Sequence, residues 1–579
     1  MNKKVKRRKL HRQRKRRGSG LMSRILKRLG IFVLLLLLVL LLLSILFSWM
    51  TKLNPPEPEN DTALKLERKQ VAENHYEIGD NWLRKNDAGL WEMYTEGKAF
   101  ERGAINGKLS LELVQEQEDH FVGQMNQMVP SSFYIRFLKY LIGWFNRDLD
   151  DFVPEEYQLE IYGVSHAASN EYDYIAPNYQ RVLNYHAAHD IGHALQNMAL
   201  VGCTSFGAWK GKSEDSTLII ARNFDFYVGE EFAENKIVSF VAPDEGYKFM
   251  MITWGGMIGV VSGMNEHGLT VTLNAAKSEV PAKAATPISI LARKILQYAT
   301  TIEEAYSIAE QHKTFISESL MIGSAKDKEV AIIEKTPTLI GIYKSKRNYI
   351  ACSNHFQSET FKSDDLNIQS IKESDSPYRF KRINELIRRE PQIDERGAAE
   401  ILRNQKGIGG AELGMGNEKA INQLIAHHSV IFKPEQRLVW VSTSPYQLGK
   451  FVAYDLNEIF ADTFQIKSGQ PITVDSLVIP VDNFLLSTDF RNFKQFKQLR
   501  STLKQATKDN TDLPPDFDRQ FIMLNPELYS TYSLLGDYYK SKEDCDTAKK
   551  YFEQALTKEI PKKSDTDRLN ESIQECAKQ

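Results

Sequence analysis

An uncharged, apolar run near the N-terminus sets the strongest limit on how this chain folds. The run extends from Leu29 to Thr51 and is centred on the leucine-rich stretch 34–43. About 20 apolar residues, each rising about 1.5 Å in a helix, span the hydrocarbon core of a bilayer. The sequence therefore predicts a transmembrane anchor over 29–50, which separates a basic head, 1–28, from the remainder of the chain.

The charges on either side of this run predict its orientation. The first 29 residues carry 14 of the 74 Lys and Arg residues and no acid, whereas all 75 Asp and Glu residues follow. By the positive-inside rule, such a cluster stays in the cytoplasm. We therefore expect a single-pass protein with a cytoplasmic N-terminus, Trp49 at the far interface, and everything after Lys52 on the extracytoplasmic side.

Two other interpretations of the N-terminal segment remain open. The tract from Lys3 to Arg17 resembles a nucleic-acid-binding or nuclear-targeting tract. Because an apolar run follows it, a topology signal is the better interpretation, and no nucleic-acid partner is predicted. A cleaved signal peptide shares the apolar core, but this run is long and no small-x-small cleavage site follows it. These features favour a retained anchor.

Composition divides the rest of the chain into four parts. Residues 51–70 include three closely spaced prolines and predict a stiff, polar linker. Residues 71–202 have apolar residues at three-and-four spacing and are predicted to be a mostly helical region. From 203 to 504, strand-like runs alternate with paired helices, which predicts a mixed α+β body with two sheets faced by helices. A polar stretch then precedes a helical tail at 516–579.

Two groups of strands in the body hold the residues of chemical interest. Cys203 to Trp209 and Thr217 to Asn223 flank a polar turn and predict a hairpin. Tyr247 to Trp254, Met257 to Gly263 and Leu269 to Asn274 predict a meander of three strands. The first group would carry a cysteine, an arginine and an aspartate close together.

The tail has the pattern of a single tetratricopeptide repeat. In such a repeat, small residues let two antiparallel helices touch while aromatic residues fill the gap; the matching positions are Tyr532, Leu535, Gly536, Tyr539, Ala548, Phe552, Ala555 and Pro561. One copy cannot bury its own apolar face, so we expect the tail to cover the body or a protein partner. Cys545 and Cys576 are candidates for a disulfide, which their spacing alone does not establish.

Cys203 has the neighbours expected of a nucleophile. The predicted hairpin brings Arg222 and Asp225 to the adjacent strand, where a guanidinium favours a thiolate and a carboxylate can accept a hydrogen bond from an amine. The strand ends Asn274 and Asn354 can supply neutral donors to an oxyanion. This set predicts nucleophilic acyl transfer. The alternative is a buried structural cysteine beside an ion pair and two turn residues.

Five ordered motifs carry a resemblance to a known family. They are Gly-Cys-Thr-Ser at 202–205, Arg-Asn-Phe-Asp at 222–225, Gly-Met-Asn-Glu-His-Gly-Leu at 263–269 before Leu273-Asn274, Ser-Asn-His-Phe at 353–356, and Tyr-Arg-Phe-Lys-Arg at 378–382. With them the chain resembles the N-terminal-nucleophile hydrolases of the choloylglycine hydrolase and acyl-CoA:6-aminopenicillanic-acid acyltransferase group. Upstream, Glu-Gly-Lys-Ala-Phe-Glu-Arg-Gly at 96–103 resembles the propeptide signature of the acyltransferase branch.

The resemblance implies an αββα sandwich and a chain that cuts itself between Gly202 and Cys203. The thiol would attack the Gly202 carbonyl, and the freed α-amine of Cys203 would then serve as its general base. The resemblance also implies the remaining roles: Asp225 orients the amine, Arg222 holds the thiolate or the substrate carbonyl, Asn274 and a backbone N–H form the oxyanion hole, Asn354 bonds the amine or the leaving nitrogen, and Arg379 supports the surroundings of the nucleophile.

The predicted function is that of a membrane-anchored cysteine hydrolase of linear amides, or of an acyltransferase that uses the same thioester. The substrate would be a small-molecule or lipid amide, whose acyl and amine groups the sequence leaves open. One alternative is a noncatalytic scaffold that recruits a partner through the tail. Another is an enzyme whose chain stays intact, in which case His355 is the first candidate for the base.

No cofactor or metal is predicted. The best candidate ligands for a metal are His186, His189, Asp190 and His193, which fall on one helical face at three-and-four spacing. This pattern also resembles metal-dependent phosphohydrolases, but the other elements of such a site are not evident. We expect the helix to pack beside the strand that carries Cys203.

Overall fold

The computed structural model describes residues 27–47, 49–128, 142–195, 202–226, 233–279, 284–461 and 471–578. The predicted basic head up to residue 26 therefore lies outside the described residues. The same holds for the side chains of His189 and His193, two of the four candidate metal ligands.

The strands of the described residues form two sheets. The larger sheet has the order β1-β2-β3-β4-β7-β8-β9-β10-β11-β12-β13 and the smaller one β14-β5-β6-β15-β16-β17. The strands are β1 Lys69–Ala72, β2 His75–Ile78, β3 Asn81–Lys85, β4 Trp91–Gly97, β5 Thr204–Ala208, β6 Ile219–Phe224, β7 Ile237–Pro243, β8 Phe249–Thr253, β9 Ser262–Asn265, β10 Leu269–Ala275, β11 Glu318–Ser324, β12 Glu329–Lys335, β13 Ile340–Lys344, β14 Tyr349–Cys352, β15 His428–Lys433, β16 Leu438–Ser442 and β17 Phe451–Asp455.

Helices precede, interrupt and follow the strands. The apolar helix is α1 Lys27–Phe47. The others are α2 Ala99–Leu109, α3 Leu111–Met128, α4 Glu155–Ser165, α5 Asn178–Leu195, α6 Ile288–Tyr298, α7 Ile302–Gln311, α8 Asp365–Glu373, α9 Ser376–Arg389, α10 Glu395–Leu402, α11 Leu456–Ile459, α12 Thr488–Asp509, α13 Phe517–Leu524, α14 Tyr529–Ser541, α15 Cys545–Leu556 and α16 Lys563–Cys576. The prediction of a mixed α+β chain with a helical tail is confirmed.

Three apolar clusters define the layers of the body. One lies between the sheets and joins Phe240 and Ile332 of the larger sheet to Val430 of the smaller. A second covers the outer face of the larger sheet with α6 and α7, and a third covers the outer face of the smaller sheet with α9 and α10. The body therefore has the layer order helix, sheet, sheet, helix.

The region predicted as mostly helical, 71–202, contains strands, so that part of the prediction is wrong. Strands β1 to β4 occupy its start and join the larger sheet, where β4 pairs in parallel with β7 from Trp91 opposite Ile237 to Gly97 opposite Pro243. β1 to β3 have only four or five residues each. They pair with one another and with β4, and only β4 joins them to the rest of the sheet through the distant β7. Strands this short leave little pattern in the sequence.

Two smaller predictions of strands also need correction. The predicted strand Met257 to Gly263 is mostly loop, and β9 begins only at Ser262. The sheets further contain β7 and β17, which the sequence interpretation did not include. β7 is an interior strand, β17 lies at the sheet edge beside β16, and both are buried over nearly their whole length. They therefore lack the alternation of apolar and polar residues that marks a half-buried strand.

Helix α1 and the body are closely joined. The most apolar 18 residues of helix α1 have a mean hydropathy of 3.4, and by length and composition the helix meets the requirement for a membrane span, which anchors and signal sequences share. Phe47 stacks on Trp144 with ring centroids 5.5 Å apart, and Gln180 of α5 donates a hydrogen bond of 2.7 Å to the Thr51 carbonyl. Leu53 is buried in the main core. The segment predicted as a spacer, 51–70, thus begins docked on the body.

The segment before Cys203 is also built into the body. The backbones of α2 and α4 approach so closely that a Cβ at Gly103 would collide with the Glu160 carbonyl. Buried Arg102 donates to Glu160 over 2.6 Å, and Arg293 of α6 reaches the same carboxylate oxygen over 3.1 Å. The motif at 96–103 thus contributes Arg102 and Gly103 to packing and to a buried ionic cluster.

The helical tail packs against itself and against the body. A Cβ at Gly536 of α14 would collide with the Phe552 ring of α15, which explains the small residue. Asn525, between α13 and α14, exchanges two hydrogen bonds of 2.9 Å with the backbone of Met415. The tail thus covers part of the body, and the specific assignment to a tetratricopeptide repeat stays a prediction. The thiols of Cys545 and Cys576 contact each other and are not joined in a disulfide.

Candidate active site

Cys203 immediately precedes β5, an interior strand of the smaller sheet. β5 pairs antiparallel with β6, with Thr204 opposite Asn223 and Ser205 opposite Arg222, so the predicted hairpin is confirmed. Cys203 is 1% exposed. In the uncut chain the Cys203 thiol is therefore buried, next to the strand that carries Arg222 and leads to Asp225.

Arg222 lies next to the thiol. Its Nη2 is 3.7 Å from Cys203 Sγ, and its Nη1 donates to the Val261 carbonyl over 2.7 Å and to Ser262 Oγ over 2.6 Å. Burial raises the pKa of the Cys203 thiol, although the Arg222 guanidinium acts in the opposite direction. In the uncut chain, the cost of desolvating the Cys203 thiolate therefore outweighs the stabilisation expected from Arg222.

Asp225 is buried with an unsatisfied carboxylate. Neither of its carboxylate oxygens has a hydrogen-bond partner among the described residues. Burial raises the pKa of Asp225 to about 8, against the opposing effect of Arg379 and Arg222. Its backbone carbonyl accepts a hydrogen bond of 2.9 Å from the Gly202 amide. A buried acceptor next to the Cys203 backbone is thus available to a nitrogen donor.

The raised pKa of Asp225 gives a testable dependence of stability on pH. The folded chain keeps this proton up to about pH 8, whereas the unfolded chain loses it near pH 4. Stability therefore falls as the pH rises between these values. In an uncut Cys203→Ala background, Asp225→Asn should remove up to about 1.4 kcal/mol per pH unit of this slope in denaturant titrations. The exposed control Asp87→Asn should leave the slope unchanged; parallel curves for Asp225→Asn would contradict the raised pKa.

Asn274, at the end of β10, also has an unsatisfied group. Its Oδ1 accepts a hydrogen bond of 2.9 Å from Ser205 Oγ, while its Nδ2 has no partner among the described residues. A buried amide N–H without an acceptor is costly, because the group has lost its hydration without replacement. The hydrogen bond from Ser205 holds the Asn274 amide next to β5, at the residue that follows Thr204.

Arg379 of α9 connects the nucleophile to Asn354. Its Nη1 donates to the Cys203 carbonyl over 2.7 Å, and its Nη2 donates to Asn354 Oδ1 over 2.7 Å. Asn354 in turn donates to the Ala275 carbonyl over 2.8 Å, and Asp375 pairs with Arg379 over 3.0 Å. All six predicted site residues are therefore buried around one point. Arg379 contacts the Cys203 backbone, Asn354 links Arg379 to the end of β10, and Arg222 lies beside the thiol.

Two further residues of this site were missed by the sequence interpretation. Glu318 of β11 is buried, and neither carboxylate oxygen has a partner among the described residues. Burial holds its pKa well above the ordinary value, with Asp190 adding to the shift. Gln423 lies against Gly202, with its Nε2 2.9 Å from the Gly202 carbonyl oxygen. No motif marked either residue, because both reach the site through distant parts of the chain.

The remaining candidates have structural contacts. His186 Nε2 accepts from the Ile258 amide over 3.0 Å, and Asp190 accepts from the Ile288 amide over 2.8 Å at the start of α6. These contacts support packing of α5 against the body, and the described residues contain no group of three metal-ligating side chains. His355 contacts Ser376 Oγ over 2.7 Å, and burial lowers its pKa to about 4.

Part of this chain is similar to a known family. Residues 209–443 match the sequence model of the family described as acyl-coenzyme A:6-aminopenicillanic acid acyl-transferase. The matched residues include Arg222, Asp225, Asn274, Asn354 and Arg379, and they begin just after Cys203. This family belongs to the group that the five motifs resemble.

Individual relatives are distant. An uncharacterized protein of Archaeoglobus fulgidus is 24% identical over 257 residues, which are 42% of each chain; this chain thus spans about two fifths of that relative. The Caenorhabditis elegans ortholog of N-acylethanolamine-hydrolyzing acid amidase has a TM-score of 0.30 and 16% identity, covering 40% of this chain and 93% of its own. A mutant conjugated bile acid hydrolase of Clostridium perfringens has a TM-score of 0.32 and 12% identity, covering 48% of this chain and 99% of its own.

Proposed function

We propose that this protein is a cysteine N-terminal-nucleophile enzyme that cleaves linear amides, or transfers their acyl group, through a thioester on Cys203. The active form arises by cleavage of the chain between Gly202 and Cys203. The family match over residues 209–443 supports the general class, a hydrolase or acyltransferase. The assignment of Cys203 as nucleophile rests on its surroundings.

Two unsatisfied buried groups carry this proposal. The carboxylate of Asp225 lacks a donor and the Nδ2 of Asn274 lacks an acceptor among the described residues. Burying a polar group without a partner costs about 1–3 kcal/mol, so such groups need an explanation. A free α-amine on Cys203 would supply the donor, and the oxyanion of a tetrahedral intermediate would supply the acceptor. The free α-amine and the oxyanion both form in the course of the proposed reaction.

The proposed turnover uses the residues in turn. The α-amine of Cys203, oriented by Asp225, removes the thiol proton as the sulfur attacks the substrate amide carbonyl. Asn274 donates to the resulting oxyanion, and the amine returns the proton to the leaving nitrogen. Water then releases the acyl group in hydrolysis, and an acceptor amine releases it in transfer. Arg222 favours the thiolate, while Arg379, held by Asn354, fixes the backbone of the nucleophile.

Membrane attachment is a separate part of the proposal. Helix α1 has the length and composition of a span, and its C-terminal end meets the body through Phe47 and Trp144. This direct contact supports a retained anchor. With the basic head in the cytoplasm, the catalytic body faces the extracytoplasmic side.

Intact mass measurement of the purified protein tests the proposal. We expect two chains that divide between Gly202 and Cys203, with N-terminal sequencing of the second chain beginning Cys-Thr-Ser. A panel of N-acyl amides should then release amine in proportion to the cleaved fraction. A single full-length mass together with amide turnover would contradict self-cleavage and favour another base; a full-length mass without turnover would contradict the enzyme assignment.

A further inference from the structure

The peptide bond at the proposed cleavage point is held by a residue that no motif includes. Gln423 Nε2 donates a hydrogen bond of 2.9 Å to the Gly202 carbonyl oxygen, and the Gln423 side chain is 2% exposed. On its other side, the Gly202 amide donates to the Asp225 carbonyl over 2.9 Å. Both polar groups of Gly202 thus have fixed partners, and the partner of the carbonyl is a neutral N–H donor.

We propose that Gln423 is the oxyanion donor for self-cleavage, a catalytic residue separate from the proposed donor for substrate turnover, Asn274. This inference rests on the proposed function. A donor 2.7–3.1 Å from an oxyanion typically contributes 10²–10³-fold to acyl transfer. The observed 2.9 Å, measured to the carbonyl oxygen of the uncut chain, lies in this range.

Self-cleavage begins at the carbonyl group that Gln423 contacts. Cys203 Sγ bonds to the Gly202 carbonyl carbon, and the negative charge forms on the oxygen that Gln423 contacts. The bond from that carbon to the Cys203 nitrogen breaks, and the thiol proton ends on this nitrogen. Water then attacks the thioester, which leaves a carboxylate on Gly202, restores the thiol, and adds one proton to the new α-amine.

The backbone next to Gln423 is strained. Leu424 has a φ of 54°, in the left-handed region that costs a bulky residue free energy of about 1–3 kcal/mol. The strain is compensated locally: the Leu424 amide donates to Asn422 Oδ1 over 2.9 Å, and the Leu424 side chain is buried with Phe493 of α12. Backbone strain of this kind occurs at functional sites, where it fixes a side chain in one position.

The helical tail holds the same segment from the outside. Besides the Asn525 to Met415 pair, Asn417 Nδ2 donates to the Glu559 carbonyl over 2.9 Å, and Lys419 pairs with Glu559 over 2.6 Å. From the inside, Asn223 of β6 donates to the Ile421 carbonyl over 2.9 Å. The segment 415–424 is thus fixed between the tail and the strand that carries Arg222, which positions Gln423 on the scissile carbonyl.

The same contact accounts for the residue before the nucleophile. A Cβ at position 202 would collide with the amide of Gln423. Any larger residue would displace either the donor or the scissile carbonyl. The glycine is therefore required by the hydrogen bond, independently of backbone conformation.

A time course of self-cleavage tests this role. The full-length chain is synthesised in a cell-free system with detergent micelles, and the uncut fraction is followed by intact mass. Gln423→Met keeps the approximate size and removes the donor; we expect its cleavage to be about 10²–10³-fold slower than that of the wild type. Gln447→Met is the matched control, because Gln447 is likewise buried, at 1% exposed, and lies on a neighbouring loop, where the Tyr446 carbonyl accepts a hydrogen bond from Asn422. It should cleave at the wild-type rate.

The outcomes separate this inference from the proposed function. Cleavage of Gln423→Met at the wild-type rate would overturn the role of Gln423 and leave the enzyme assignment intact. Equal slowing of both variants would also overturn it, since a general packing defect would then suffice. If the wild type stays uncut, self-cleavage and the role of Gln423 fall together. Thermal melting shows whether Gln423→Met folds. If it does not, Gln423→Glu, which keeps size and polarity, replaces it. At a pH above the pKa of its carboxyl group, Gln423→Glu also lacks the donor, and we expect the same slowing of self-cleavage.

Discussion

Cys203→Ala is expected to abolish amide turnover, with a loss of at least about a thousandfold in kcat/KM. Removing the nucleophile from an acyl-transfer site leaves only the binding and oxyanion contributions. The variant should also stay as one uncut chain. Turnover is measured as amine released from N-acyl amides, with protein that has been checked for folding by thermal melting.

Cys352→Ala is the matched control for this loss. Cys352 ends β14, is also fully buried, and contacts the Ser353 carbonyl through its sulfur over 3.4 Å. Burial raises the pKa of its thiol. It should therefore be chemically inert, and its replacement should leave turnover close to the wild-type value. Turnover that survives in Cys203→Ala but fails in Cys352→Ala would move the nucleophile to the neighbouring strand.

Glu160→Gln is expected to lower the free energy of unfolding by about 3–5 kcal/mol, the usual cost of removing one partner from a buried ionic cluster. Although burial opposes ionisation, Arg102 and Arg293 hold the pKa of Glu160 below its ordinary value. Both arginines are fully buried, so neutral glutamine removes the carboxylate partner of Arg293 and leaves Arg102 with only the more distant Asp244, at 3.8 Å.

Chemical denaturation of the detergent-solubilised protein measures this effect. Glu155→Gln, on the exposed face of the same helix, controls for the change of a carboxylate to an amide in α4. It should shift the midpoint little, as exposed charges contribute about 0–1 kcal/mol. Equal midpoints for the two variants would show that the arginines find other partners and that the cluster adds little stability.

The part of the site near Cys203 could be predicted because its residues are close in sequence. The β5 and β6 hairpin places Arg222 beside Cys203 across one turn, and the turn between β9 and β10 leads directly to Asn274. Likewise Thr301 and Glu304 form the capping box that their spacing predicts. Local patterns such as these need no knowledge of the rest of the fold.

The missed features depend on contacts between distant parts of the chain. Gln423 is 221 positions from Gly202, and β4 finds its parallel partner only in β7. A sequence pattern carries no sign of such pairings. The charge state of Cys203 was misjudged for a different reason: the benefit of Arg222 was visible in the sequence, whereas the larger cost of burying the thiolate was not.

The parallel pairing of β4 with β7 determines whether the two fragments stay together after a cut at residue 202. Seven residue pairs of that ladder, from Trp91 to Gly97, join the fragment that carries α1 to the fragment that begins at Cys203, and the contact from Arg293 to Glu160 crosses the same boundary. Neither depends on the peptide bond at 202. The two fragments would therefore remain associated. The fragment that begins at Cys203 has no span of its own in the described residues. It would nevertheless sediment with membranes until a denaturant separates the sheet.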